Sequence, residues 1–309
     1  MLNRRLQRIK VFKALYSYIQ SENENYINAE KELFYSIEKL YDLYIHFLEL
    51  LIQIHHQAKL IIEEKRNKKL PSFGDMNPNF NFVNNIILEK LSNSKTLDSI
   101  VTRRKVSWSN EHEYIRNIFI EFTKTEQYLL YIEINNPSVI EQYKIIKELI
   151  FFISKSESLL STLEEKSIYW IDDIDVVKAM SVKTIKQINK EDDELVLIEL
   201  YKDDNDDRKF IANLFRRVLD NYTDYNKYIN DKLKNWDIDR VAIIDLLLMK
   251  MAICEFLEFP IIPTTVTMNE YIELSKIYST PKSNIFINGI LDKIIKELTK
   301  ENKINKFVN

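Results

Sequence analysis

Glycine is almost missing from this chain: Gly74 and Gly289 are the only two among 309 residues. Phosphate-cradling loops need glycine so that backbone can approach a ligand closely, so neither a Rossmann fingerprint nor a P-loop can be written in this sequence. The single cysteine, Cys254, excludes an intramolecular disulfide framework and a cysteine-rich zinc site. It lies in an apolar stretch, where a small buried hydrophobe is expected rather than a nucleophile. No run of about 18 uncharged apolar residues occurs, so no membrane span is expected. Lys10 and Lys13 interrupt the apolar core that a secretion signal needs, and a reducing cytoplasm is the expected setting. None of His46, His55, His56 and His112 has a glutamate three residues before it, so the helical di-iron pattern is missing too. No metal or cofactor is expected.

What is present is apolar residue at helical spacing. Apolar residues make up 45% of the chain, ample for a core in one large or two ordinary domains. Leu2, Leu6, Ile9, Phe12, Tyr16 and Ile19 recur at steps of three and four, which predicts a first helix with one buried face. A second helix is expected from Tyr26 to Arg66, then a loop marked by Pro71, Gly74 and Pro78. Helices follow near 110–134 and 138–165, with Pro137 as the break. The run Leu195–Tyr201 reads equally as a short strand or a helical turn. Asp203-Asp-Asn-Asp-Asp207 precedes a helix, where acids favourably meet the positive end of its dipole. A nearly all-apolar, hence central, helix is expected from an N-cap at Asp237 to Phe259. Thr267 and Glu270 have capping-box spacing, and Thr280-Pro281 reads as N-cap and first residue of the last helix. The core face of that helix is expected to be Phe286, Ile290 and Ile294, extended by Ile287, Leu291 and Leu298. Gly289, inside it, should be approached closely by a neighbouring helix or a ligand, since glycine is unfavourable there. The fold class is all-α.

Net charge is −3, but residues 1–20 hold Arg4, Arg5, Arg8, Lys10 and Lys13 without an acid. A basic patch on a mildly acidic body is the footprint of an anionic partner.

Two sets of residues carry a family resemblance. One is Asn3-Arg-Arg-Leu-Gln-Arg8 with Ala14-Leu15-Tyr16; the other is Asn235-Trp-Asp-Ile-Asp-Arg240, Ile262-Pro263, Asn269-Glu270 and Phe286-Ile-Asn-Gly-Ile-Leu-Asp-Lys293. In this order they resemble the NusB family of transcription antitermination factors, over residues 3–20 and roughly 206–298. Departures are Leu6 or Gln7 for a first-helix alanine, Tyr278 for another aromatic, and Ser279 for the glycine that often follows it. The resemblance implies a NusB-like helical bundle with an additional helical insertion: residues 1–21 as first helix, 22–205 as insertion, 206–309 as the remainder. It also implies a cytoplasmic, non-enzymatic protein that binds single-stranded, boxA-like RNA together with a NusE-like ribosomal protein at the transcription elongation complex, with no membrane partner.

Single-stranded RNA is held by cations on phosphates and by aromatic faces under unstacked bases. The candidate RNA-binding residues are therefore Arg4, Arg5 and Arg8 on the first helix, with Lys276, Tyr278, Lys282 and Asn288 around the start of the last. Arg240, Asn269 and Glu270 are read as structural. Thr102-Arg-Arg-Lys-Val-Ser-Trp108 either extends the RNA track or is a solvated loop. Two other functions compete with this one. One is a helical interaction scaffold without RNA affinity. The other is a magnesium-dependent isoprenoid-synthase-like enzyme using Asp203, Asp204 and Asp207, which fits poorly because that cluster reads as a pre-helix loop.

Overall fold

The computed structural model describes residues 2–21, 25–188, 195–233, 237–304 and 306, so Asn235 and Trp236 of the motif lie outside the described residues. The α-helices, in order, are α1 (Arg4–Gln20), α2 (Tyr26–Arg66), α3 (Phe73–Met76), α4 (Ile86–Ser92), α5 (Lys95–Arg104), α6 (His112–Phe122), α7 (Glu126–Glu133) and α8 (Val139–Ile153). They continue with α9 (Glu157–Lys166), α10 (Ile174–Lys186), α11 (Asp204–Asp220), α12 (Tyr225–Asn230), α13 (Ile243–Glu258), α14 (Thr264–Tyr278) and α15 (Ser283–Lys300). Among the described residues there is no strand, and no helix is long and apolar enough to cross a membrane. The fold is all-α.

The chain forms two compact units, one made of Met1–Tyr35 with Tyr201–Asn309 and the other of Ser36–Leu200. The sequence expectation had drawn its lines at 21/22 and 205/206 instead.

In the first unit α13 is the central helix. Leu247, Leu248, Met249, Met251, Ala252, Ile253, Cys254 and Phe256 are all buried, as a helix apolar almost all round requires. Around it pack α1, α11, α12, α14 and α15. The two ends of the chain therefore meet: α1 lies against α11 and α13, and its Phe12 ring is 5.1 Å from that of Tyr278 on α14. Helix starts follow their caps. The Asn3 side chain accepts from Leu6 N at 2.8 Å, and Asp203 accepts from Asp206 N at 3.0 Å.

One buried group in α13 conflicts with its surroundings. Lys250 is fully buried, its Nζ has no hydrogen-bond partner among the described residues, and it sits 3.1 Å from the centroid of the Tyr222 ring. Burial pulls its pKa down from the ordinary 10.5 to about 8. Between those values the unfolded chain binds the proton and the folded one releases it, so stability rises with pH across that window. Lys250→Met is therefore expected to stabilise the unit by about 1–3 kcal/mol at pH 7, the Tyr222 ring face offsetting part of the penalty. The gain should shrink as pH is raised from 8 to 10. Denaturant melts at the two pH values check this, and a pH-independent difference would count against it.

In the second unit α2 supplies a core stripe, Leu40, Tyr44, Phe47, Leu51, Ile54 and Ala58, at alternating steps of four and three. Two indole N–H groups anchor to its carbonyls: Trp108 donates to His46 O at 3.0 Å and Trp170 to Lys39 O at 2.8 Å. Helix α8 packs on α4, α6, α7 and α10. Burial lowers the pKa of both His46 and His55 to about 4, so these two imidazoles are neutral core groups.

Several sequence expectations are corrected in detail. The 110–134 stretch is two helices, because Thr125 caps α7 by accepting from Tyr128 N. The 138–165 stretch is likewise divided, Ser156 capping α9. Leu195–Tyr201 is neither strand nor helix. Asp237 does act as a cap, but of a 3-10 turn at Ile238–Arg240, and the long helix begins only at Ile243. Thr267 is a buried interior residue of α14 and not a cap. The last helix starts at Ser283, beyond Thr280-Pro281, where the Thr280 and Ser283 hydroxyls hydrogen-bond at 2.8 Å. Its core face is Ile287, Ile290, Leu291, Ile294 and Leu298, and Phe286 is only half-buried.

Candidate nucleic-acid interface

The arginines of α1 were expected to face phosphates. The structure engages each with carboxylates of other helices. Arg8 is 2% exposed, and its guanidinium clamps Glu255 of α13 through Nε at 2.7 Å and a terminal nitrogen at 2.8 Å. Glu255 also accepts from Tyr271 Oη at 2.7 Å and Thr267 Oγ1 at 3.1 Å, so both its oxygens are saturated. Burial works against the charge on Arg8, but the hydrogen bonds and charge of Glu255 outweigh it, and its pKa is raised. Arg8 is thus a core group that no phosphate can reach, which corrects the sequence assignment.

Arg5 grips Glu270 bidentately, both contacts at 2.8 Å, and this pairing holds the Glu270 carboxyl below its usual range. Arg4 pairs with Asp206 and, at 3.5 Å, with Asp207, while lying 4.4 Å over the Phe210 ring. Asp207 itself is buried and accepts from Gln7 at 2.7 Å and from the Lys202 backbone at 2.9 Å. Burial alone would raise its pKa, and these hydrogen bonds outweigh it and hold it down. The Asp203–Asp207 cluster therefore caps α11 and ties α1 to it. Among the described residues no group of three or more His, Cys, Asp or Glu is arranged to hold a metal ion.

The four candidates near the last helix are spread differently. Lys276 is exposed and paired with Glu273 at 2.5 Å. Tyr278 is half-buried, with Phe12 beside its ring and Lys13 Nζ at 5.8 Å from its centroid. Lys282 is exposed and lines an open groove of about 600 Å³; Asn288, also exposed, is adjacent in sequence to Gly289 of that groove.

The groove lies between the 3-10 turn before α13 and the outer face of α15. Its apolar wall includes Leu233, Val241, Ile285 and Phe286, and four cations line it: Lys232, Arg240, Lys282 and Lys293. Lys232 is paired with Glu297, whereas Arg240, Lys282 and Lys293 have no ion-pair partner among the described residues. Arg240, read from sequence as structural, thus belongs to the exposed cationic set. Phe286 and Lys293, which were not among the candidates, carried a signal: with the candidate Lys282 at the N-cap and Gly289 they follow steps of four, three and four, one stripe along α15.

Gly289 was expected to be touched by a neighbouring helix or a ligand. A Cβ built there meets nothing within 4 Å, so among the described residues no neighbouring element approaches it. Gly289→Ala should therefore raise stability by about 1 kcal/mol through helix propensity alone. Equilibrium denaturation checks the sign, and a destabilised variant would show that the site is crowded.

The Thr102–Trp108 run, in the second unit, is not a loose loop. Arg104 pairs with Asp42 at 2.6 Å and Glu38 at 3.1 Å, and Trp108 is 2% exposed.

The first unit is thus an α-helical bundle whose open groove mixes cations with apolar side chains. Residues 175–296 match the model of the NusB family. Three relatives bear the description transcription antitermination protein NusB. That of Salinibacter ruber is 38% identical over 104 residues, which is 34% of this chain and 65% of the relative. That of Chloroherpeton thalassium is 39% identical over 99 residues, 32% and 47% of the two lengths. That of Desulfatibacillum aliphaticivorans is 39% identical over 98 residues, 32% and 68%. No solved structure matches. The chain belongs to the NusB family. Its matched stretch spans 65% and 47% of the first two relatives, less than two thirds of either.

Proposed function

We propose that this protein is a non-enzymatic RNA-binding factor of transcription antitermination. Single-stranded, boxA-like RNA lies in the groove of the first unit, jointly held with a NusE-like ribosomal protein at the elongation complex. The observation that carries this reading is the groove itself: Arg240, Lys282 and Lys293 stand unpaired among the described residues beside the half-buried ring of Phe286. Cations for phosphates next to an aromatic face for a base are what a single strand requires. Family membership supports the same role.

Of the residues expected to contact RNA, the proposal keeps Lys282 and Asn288 and places Tyr278 and Lys276 at the edge. Arg4 and Arg5 hold α1 in place, and the first helix acts through Arg8 as a structural element. The test is fluorescence anisotropy with a labelled boxA-like RNA over a salt series, with and without the NusE-like protein. Affinity should fall steeply with salt and rise when the partner is added, since each ligand then favours the other's bound state. A flat salt response would leave the protein a scaffold without RNA affinity.

A further inference from the structure

The second unit carries a surface that the antitermination reading does not use. At the C-terminal end of α2 a cavity of about 680 Å³ opens, walled by Ile61, Phe82, Val83, Phe119 and Tyr128. Its mouth is formed by the segment 72–79. That segment and its lead-in present large apolar side chains to solvent: Leu70 is 92% exposed, Phe73 86% and Met76 51%.

These side chains are not outward because the loop is loose. Ser72 and Asp75 form a complete capping box around α3, with Ser72 N donating at 3.0 Å and Asp75 N donating back at 3.1 Å. Lys68 Nζ binds both Asp75 oxygens at 3.1 Å, and Asn77 Nδ2 donates to Phe73 O at 3.0 Å. These polar contacts order the loop, and Leu70, Phe73 and Met76 stand exposed on it beside an apolar cavity. Contiguous exposed hydrophobes of this kind beside a concave site mark a binding surface.

Charge selects the occupant. Residues 60–80 and Arg116 bring five cations, Lys65, Arg66, Lys68, Lys69 and Arg116, against three carboxylates, Glu63, Glu64 and Asp75. Arg116 is paired with Glu64 and Lys68 with Asp75. Lys65, Arg66 and Lys69 have no ion-pair partner among the described residues, and Lys65 itself lines the cavity. Lys65 and Arg66 also complement the negative end of the α2 dipole; Lys69, past the last turn, has no such role.

We propose that the unit Ser36–Leu200 is a docking module for an acidic peptide segment of another protein. One bulky apolar side chain of that segment enters the cavity, others lie on Leu70, Phe73 and Met76, and its carboxylates meet Lys65 and Lys69. Such a partner satisfies both features at once: apolar anchors desolvate the exposed strip, while opposite charge steers the encounter and fixes the register.

The test uses the 309-residue chain as target for a displayed library of random twelve-residue peptides, followed by anisotropy measurements on the synthesised winners. Peptides combining Asp or Glu with Leu, Phe or Trp should be enriched. Their affinity should drop by about tenfold or more in Leu70→Ser/Phe73→Ser, as for anchor contacts at an interface centre. It should also drop in Lys65→Glu/Lys69→Glu. All four side chains are exposed, so circular dichroism should be unchanged in both variants; melting should be unchanged in Leu70→Ser/Phe73→Ser and fall only slightly in Lys65→Glu/Lys69→Glu, where the cation at the end of the α2 dipole is lost. Three outcomes would overturn the proposal: winners that lack acids or bind the variants as tightly as the parent; dimerisation of the parent chain in sedimentation that is lost in Leu70→Ser/Phe73→Ser, which assigns the strip to a second copy; and binding of phosphatidylglycerol vesicles through the same residues, which assigns it to a lipid surface.

Discussion

Arg8→Ala is expected to destabilise the unit Met1–Tyr35/Tyr201–Asn309 by about 3–5 kcal/mol, the cost of leaving one partner of a buried ion pair uncompensated. With the arginine gone, Glu255 remains fully buried and keeps only the Tyr271 and Thr267 hydroxyls as hydrogen-bond donors from side chains. Two hydroxyls do not neutralise a carboxylate. Arg8→Lys should recover little of the loss, because one ammonium cannot reproduce the two parallel bonds from Arg8 to Glu255. The double replacement Arg8→Met/Glu255→Met removes both charges and should lie much closer to the parent, since apolar groups of similar volume often replace a buried pair at no net loss. With the single variants Arg8→Met and Glu255→Met it completes a double-mutant cycle, which separates an ion pair from mere packing. If Arg8→Ala alone melts within about 1 kcal/mol of the parent, the pair is exposed to water in solution and the buried geometry is wrong.

The contrast with Arg5 sharpens the expectation. Arg5 makes an equally bidentate contact with Glu270, yet its side chain is 47% exposed. Water screens that pair, so Arg5→Ala should shift stability by no more than about 1 kcal/mol. Two arginines three residues apart on one helix thus differ severalfold, and hydrogen exchange on the amides of α1 should report which of them releases the helix.

How much of this was legible in the sequence varies with the range of the interaction. Helix α2 could be read to its ends, Tyr26 and Arg66, because a stripe at steps of three and four is local information. The division of 110–134 was missed for the same reason: apolar spacing continues across the break, and only the Thr125 hydroxyl, which caps α7, marks it. Arg8 was misread because its partner lies 247 positions away. Counting charge along the first 20 residues gave a cationic patch, but the acids that neutralise it come from α11, α13 and α14. Tertiary structure, not composition, decides the sign of a surface. The groove stripe on α15 was within reach, yet Phe286 was given to the core, and Gly289, left between a helix contact and a ligand, was not joined to Lys282 and Lys293 on one face. The anchored turn at Trp108 could not be foreseen, since an indole N–H bound to a carbonyl of another helix leaves no trace in spacing.

Neutralising the groove should abolish most RNA affinity while leaving the fold intact. In the triple variant Arg240→Gln/Lys282→Gln/Lys293→Gln, three exposed charges without ion-pair partners among the described residues disappear, so melting should stay within about 0.5 kcal/mol of the parent. If each charge meets one phosphate of a single strand, each removal lowers the log–log salt slope by about 0.7, and the three together by about 2. At low salt the affinity should then fall by roughly two orders of magnitude, the electrostatic share of three phosphate contacts. Phe286→Ala should act differently: it weakens binding by about 1–3 kcal/mol through lost stacking and leaves the slope unchanged. The control is Arg4→Gln, whose charge is engaged by Asp206 and Asp207 and should contribute nothing to the slope. A slope that falls with Arg4→Gln and not with the triple variant would move the RNA to the first helix, because counterion release counts only the phosphates that a cation meets.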